Sequence, residues 1–288
     1  MGMTAMPHHT HDPERALLRV TGDDARPFLQ GLITGDIDKV TPDRAIWAAL
    51  LTPQGKYLFD FFAVEDADGA ILLDVDAGRS ADLLKRLKLY KLRAKVTIEE
   101  AGAGWTVTYR WGEPAPEPAG TVIRDGERIR IADPRHAGLG YREIAPAAAD
   151  SNAPLAAYHT HRIALGVPEG SLDLPVEKAT LVENGFDELG GVAWNKGCYV
   201  GQEVTARMKY KGLAKKRLLP VTFDGERPET GAPVVAGGKE VGEIRSVGDG
   251  VALALLRLEA LAQPLTAGDV ALHPSVPDWV KLPEKAGS

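Results

Sequence analysis

The chain has 288 residues, 44% of them hydrophobic, enough to bury one large core or two to three smaller ones. Its net charge of −6 implies no global attraction to nucleic acid or to an anionic membrane, and no apolar run is long enough to span a bilayer. The single cysteine, Cys198, excludes an intramolecular disulfide and cannot alone complete a four-ligand metal site; it suits a reducing compartment, and cytoplasmic residence is the expectation.

Residues 1–12 carry His8, His9 and His11 without apolar periodicity or a signal-peptide segment, and are expected to form a disordered leader. Phe28, Leu29, Leu32 and Ile33 recur at helical spacing, predicting a helix over 23–33 stopped by Gly35. Strand patterns over 45–51 and 56–64 flank Thr52-Pro53-Gln54-Gly55, whose Pro and Gly positions suit a type I turn. A turn over 66–69 leads to a strand over 70–76, and Ser80 can cap a helix whose Leu83, Leu84 and Leu87 share a face. Alternation over 94–99 predicts a half-buried strand, and the whole reads as α+β.

The Pro-rich stretch 113–120 marks a boundary, followed by a hairpin around Asp125-Gly126 and a helix over 153–165. From Lys215 onward, short strands separated by Asp224-Gly225, Gly237-Gly238 and Asp249-Gly250 predict a small β-barrel. Six basic residues lie in 85–95 and five in 209–217. Each cluster reads as a solvated face or, if both line one cavity, as a site for a ligand with several carboxylates or phosphates. Aromatic interleaving of the kind used by single-strand binders is absent, so nucleic acid is not the expected partner.

The densest chemistry is Lys196-Gly197-Cys198-Tyr199-Val200-Gly201-Gln202-Glu203, followed by a helical pattern over 201–210. A helix start and a neighbouring ammonium favour the thiolate, so Cys198 can act as a nucleophile, as a ligand completed by other thiolates, or as a redox thiol. It can equally be a small buried apolar residue. No His–acid pair lies near it in sequence, which disfavours the nucleophile. His159 and His161 are two apart and cannot share a helix face, so no metal site is predicted.

The octapeptide resembles the signature of the YgfZ family of folate-binding proteins implicated in iron–sulfur cluster maintenance. That family is related to the glycine-cleavage aminomethyltransferase, or T-protein. The resemblance extends to residues 28–37, 51–56, 90–96, 161–168 and 174–177. It implies three domains ringed around a tetrahydrofolate site. The first would be discontinuous (13–48 and 118–211), the second inserted (49–117), and the third a C-terminal β-barrel (212–288). It also implies a role in assembly or repair of iron–sulfur proteins, with transient protein partners. Cys198 and Lys196 would be the reactive pair, Trp194 and Tyr199 the walls of the folate site, and Gln202 and Glu203 polar contacts. Arg93 would capture the carboxylate tail through its bidentate fork.

Two departures from the T-protein pattern stand out. Leu58 and Phe59 occupy the positions of its acidic residues, with Asp60 falling one position late, and residues 133–141 replace its acidic pteridine loop. A folate-dependent one-carbon transferase, or a folate-using RNA-modification accessory, are the alternatives, and whether any reaction is catalysed stays open.

Overall fold

The computed structural model describes residues 7–102, 104–147 and 150–282. The chain divides into two compact units. One joins the chain through Leu51 with Leu58–Tyr158 and Gly190–Val200; the other joins Thr52–Tyr57, His159–Leu189 and the chain from Gly201.

The first unit holds two five-stranded antiparallel sheets. One contains β1 (His8–Asp12), β7 (Thr106–Trp111), β10 (Tyr141–Ala145), β9 (Arg128–Ala132) and β8 (Val122–Asp125), in that order. The other contains β3 (Ile46–Leu51), β4 (Tyr57–Glu65), β5 (Ile71–Asp76), β2 (Arg15–Thr21) and β6 (Thr97–Glu100). The helices α1 (Ala25–Gln30) and α2 (Ala77–Lys91) complete it.

Period-2 alternation explains the second sheet. Leu18, Val20, Ala48, Leu50, Phe61, Ala63, Leu73 and Val75 form one core with Leu29 of α1 and Leu83 and Leu87 of α2. The opposite face carries charge. Asp74 is fully buried and accepts from Arg15 Nε at 2.7 Å and from Arg142 Nη1 of β10 at 2.6 Å. The Arg142 guanidinium also lies 3.7 Å from the centre of the Phe62 ring. Burial opposes its charge, yet Asp74 and Tyr109 more than offset this and raise its pKa above the ordinary arginine value.

Several expectations are corrected here. Residues 1–6 of the expected leader lie outside the described residues, but His8–Asp12 form a strand paired with β7, held by Tyr109 donating to Asp12 at 2.6 Å. The first helix ends at Gln30; Leu32 and Ile33 are buried beyond it, and Ile33 bridges to Leu50. Ser80 does not cap α2, which begins at Ala77; its hydroxyl donates to the Ala77 carbonyl inside the helix. The last strand of the sheet begins at Thr97, because Lys91 to Ala94 form a turn closed by Ala94 N–H donating to the Lys91 carbonyl at 2.8 Å. Sheet membership also cuts across the expected domain boundaries: β2 and β3 precede residue 49 yet share a sheet with β4–β6, while β7 pairs with β1 and β10.

The second unit contains the closed barrel β11 (Lys216–Phe223), β14 (Val251–Arg257), β13 (Lys239–Val247), β12 (Pro233–Ala236), β15 (Leu265–Ala267) and β16 (Val270–Pro274). Its interior is Val221, Val234, Ile244, Ala252, Ala254, Leu256, Leu265 and Leu272. Closure leaves no free sheet edge. The fully buried Arg162 of α3 (Leu155–Ala164) pairs with Asp173 at 2.7 Å and donates to Ser246 Oγ of β13 at 3.1 Å. No helix among the described residues is long and apolar enough to cross a membrane.

Candidate functional site

Residues 190–200 carry the thiol and belong to the first unit. They are fixed to the segment after α1 by three sets of bonds. Thr34 Oγ1 donates to the Gly191 carbonyl at 2.6 Å, and the Ala193 N–H donates to the Thr34 carbonyl at 2.9 Å. Lys196 Nζ donates to the carbonyls of Ile33 at 2.9 Å and Gly35 at 2.6 Å. Gly35 permits this close passage, since a Cβ there would lie 2.8 Å from that of Ala48.

The Lys196 ammonium is thus committed to backbone carbonyls, and it also lies 5.3 Å from the centre of the Tyr199 ring. Burial pushes its pKa down to about 8, against the opposing pull of Asp36 and Asp38. Charging a buried amine opposes folding, so this cost is fully present below pH 8 and is relieved as pH rises toward the ordinary lysine value of 10.5. Acylation of Lys196, mapped by mass spectrometry across pH, is therefore expected to have its midpoint near 8. A midpoint at the ordinary lysine value of 10.5 would show that burial leaves the amine unperturbed.

Cys198 and Gly197 are exposed, so the thiol is open to a partner and is not the buried apolar residue the sequence also allowed. A Cβ at Gly197 would meet nothing within 4 Å. Tyr199 is buried and Trp194 half-buried. Arg93 is exposed beyond the end of α2 and, among the described residues, makes no hydrogen bond or ion pair with Trp194, Lys196 or Tyr199.

Gln202 and Glu203 open α4 (Gln202–Tyr210) in the second unit, Gln202 half-buried and Glu203 exposed. Gly201 precedes that helix at φ 82°, a left-handed conformation that favours glycine. The tip of the β3–β4 connection packs against it, with a Cβ on Gly55 falling 3.0 Å from the Gly201 carbonyl oxygen. That tip is the predicted turn, closed by Gly55 N–H donating to the Thr52 carbonyl at 2.8 Å.

The strand after the turn settles where its side chains go. Leu58 and Phe59 are buried in the helix-covered core, and the Arg79 guanidinium lies 4.2 Å from the centre of the Phe59 ring. Asp60 faces the side of the sheet opposite to Phe59 and accepts from Trp47 Nε1 at 3.0 Å. No group of three His, Cys, Asp or Glu residues among the described residues could hold a metal ion. The Lys196 tethers were not foreseen. Their only sequence signal was the lysine inside the octapeptide, since its acceptors are carbonyls more than 160 residues away.

A family model described as the C-terminal beta-barrel domain of CAF17 matches residues 215–282, the closed barrel. The human mitochondrial iron–sulfur cluster assembly factor IBA57 is 36% identical over 92% of this chain and 83% of its own length; the mouse protein is also 36% identical with the same coverage. The homologue of Mycosarcoma maydis is 35% identical over 73% of this chain and 56% of its own length. The aminomethyltransferase T of the glycine cleavage system from Bartonella henselae matches with a TM-score of 0.74 at 15% identity, covering 95% of this chain and 86% of that one, and this establishes the fold. These relatives are named as mitochondrial, which overturns the expected cytoplasmic residence. A lone cysteine excludes a disulfide scaffold but does not distinguish one reducing compartment from another. The resemblance read from the octapeptide is borne out: the chain belongs to the YgfZ-related family of IBA57 iron–sulfur cluster assembly factors.

Proposed function

We propose that this chain acts in iron–sulfur cluster assembly, with Cys198 offering its thiol transiently to a cluster or a partner protein, and that it binds a tetrahydrofolate. The observation that carries the first part is the exposure of Cys198 on a firmly tethered segment, in a chain whose family members are named for cluster assembly. An accessible thiol completed by thiolates from elsewhere needs no further ligand of its own.

The folate part is supported by the resemblance of the octapeptide and by the aminomethyltransferase fold. Trp194 and Tyr199 would supply aromatic walls, and Lys196 a donor beside them. When bound, the folate would contribute a one-carbon carrier. The residues present fit binding better than transfer, because Leu58 and Phe59 are apolar core and the Asp60 carboxylate is bound to Trp47. Arg93, Gln202 and Glu203 carry no part of this reading.

Isothermal titration of the purified chain with tetrahydrofolate is expected to show saturable binding, weakened by Trp194→Ala. Absence of binding removes the folate while leaving the cluster role intact. The cluster role is tested separately, by asking whether the chain restores a cluster-dependent enzyme in cells lacking their own homologue; failure there would sink it.

A further inference from the structure

The C-terminal end of α2 combines three features that do nothing for the chain by itself. The run 85–95 holds six cations and no acidic residue, in a chain whose net charge is −6. Of these six, only Lys95 makes an ion pair among the described residues, a loose one with Asp23 at 3.9 Å; Lys85, Arg86, Lys88, Lys91 and Arg93 make none. The helix dipole accounts for Lys88 and Lys91 in the last turn, but not for Arg93 beyond it.

Two leucines stand among these charges. Leu89 is 66% and Leu92 88% exposed, while Leu83 and Leu87 of the same helix are fully buried. Lys85 and Leu89 are four residues apart on α2 and share its outward face, and Leu92 is displayed in the turn just beyond the helix.

The third feature is the backbone of Leu92, at φ 44° and ψ −107°. With Ala94 N–H donating to the Lys91 carbonyl at 2.8 Å, residues 91–94 form a turn close to type II′, and Leu92 sits at the position where that turn takes glycine. A leucine there is strained and fully displayed, and strain of this kind gathers at recognition sites.

We propose that this end of α2 is a docking surface for an acidic protein partner, whose carboxylates meet the unpaired cations and whose apolar recess receives Leu89 and Leu92. Charge complementarity selects the partner's sign, and the displayed leucines select a protein over a phosphate backbone. Tyr90, the aromatic of the run, packs partly buried against the core and is not displayed for stacking bases. Two leucines are too small an apolar face for insertion into a bilayer. The inference stands apart from Cys198 and from the folate site.

The test uses the full chain and a synthetic amphipathic peptide of glutamates and leucines at helical spacing. Comparison probes are the same peptide with serines for leucines, plain oligoglutamate, a single-stranded RNA oligomer and phosphatidylserine vesicles. The glutamate–leucine peptide is expected to bind in a salt-dependent way, and about tenfold more tightly than the serine peptide or oligoglutamate. Lys85→Glu with Lys88→Glu, both surface positions, is expected to weaken it about tenfold without altering the melting temperature. Leu92→Gly should weaken binding while raising the melting temperature by about 2 °C, since it relieves the turn. Equal binding of oligoglutamate, tighter binding of RNA or vesicles, or no peptide binding at low salt would each overturn the proposal. So would a lowered melting temperature in Leu92→Gly.

Discussion

Asp74→Ala is expected to destabilise the first unit by about 3–5 kcal/mol, lowering its unfolding temperature by roughly 6–20 °C. The carboxylate is fully buried and is the shared counter-charge of Arg15 and Arg142, at 2.7 and 2.6 Å. Arg142 is itself fully buried, so alanine strands a guanidinium in a low-dielectric interior with aromatic faces and the Tyr109 hydroxyl but no counter-charge of its own. Removing both charges should be milder than removing one. The double variant Asp74→Leu, Arg142→Met is expected to recover part of the loss, because the fully buried guanidinium is then gone and only Arg15 loses its counter-charge. Thermal unfolding followed by the signals of each unit checks this, since a chain of two units need not melt in one step. A drop below 1 kcal/mol for the single variant would mean that water reaches Arg142.

Cys198→Ala is expected to give the opposite pattern, with function lost and stability kept. The thiol is exposed and its neighbour Gly197 has open space around its α-carbon, so alanine removes no packing. Surface changes of this kind stay within about 0.5 kcal/mol. The segment's anchors, Thr34 and Lys196, are untouched by the substitution. Restoration of cluster-dependent enzyme activity should nonetheless fail with the variant, at unchanged protein level and melting temperature. Full restoration by Cys198→Ala would show that the thiol has no role in the function.

Much of the fold was legible because local patterns and tertiary structure agree. Dipeptides such as Gly237-Gly238 and Asp249-Gly250 fall between strands of the barrel, and the turn over 52–55 forms where Pro53 and Gly55 place it. The strand β10 was missed because it buries Arg142 and Glu143 side by side, which erases the alternation that marks a half-buried strand. β7 was readable in principle, since Val107, Tyr109 and Trp111 alternate and are buried. The site was legible as a motif and illegible as a geometry. Cys198 and Lys196 stand out in the octapeptide, but the carbonyls that hold Lys196 and the exposure of the thiol depend on chain segments far apart in sequence.

The two-faced second sheet has a consequence for folding fidelity. Leu73 and Asp74 are neighbours on β5, one in the helix-covered core and the other among guanidiniums. A pairing error of one residue would drive the carboxylate into hydrocarbon and offer a leucine to Arg15 and Arg142. Misregistered chains are therefore penalised on both faces at once, so the buried charges help to select a single strand alignment as well as to hold it.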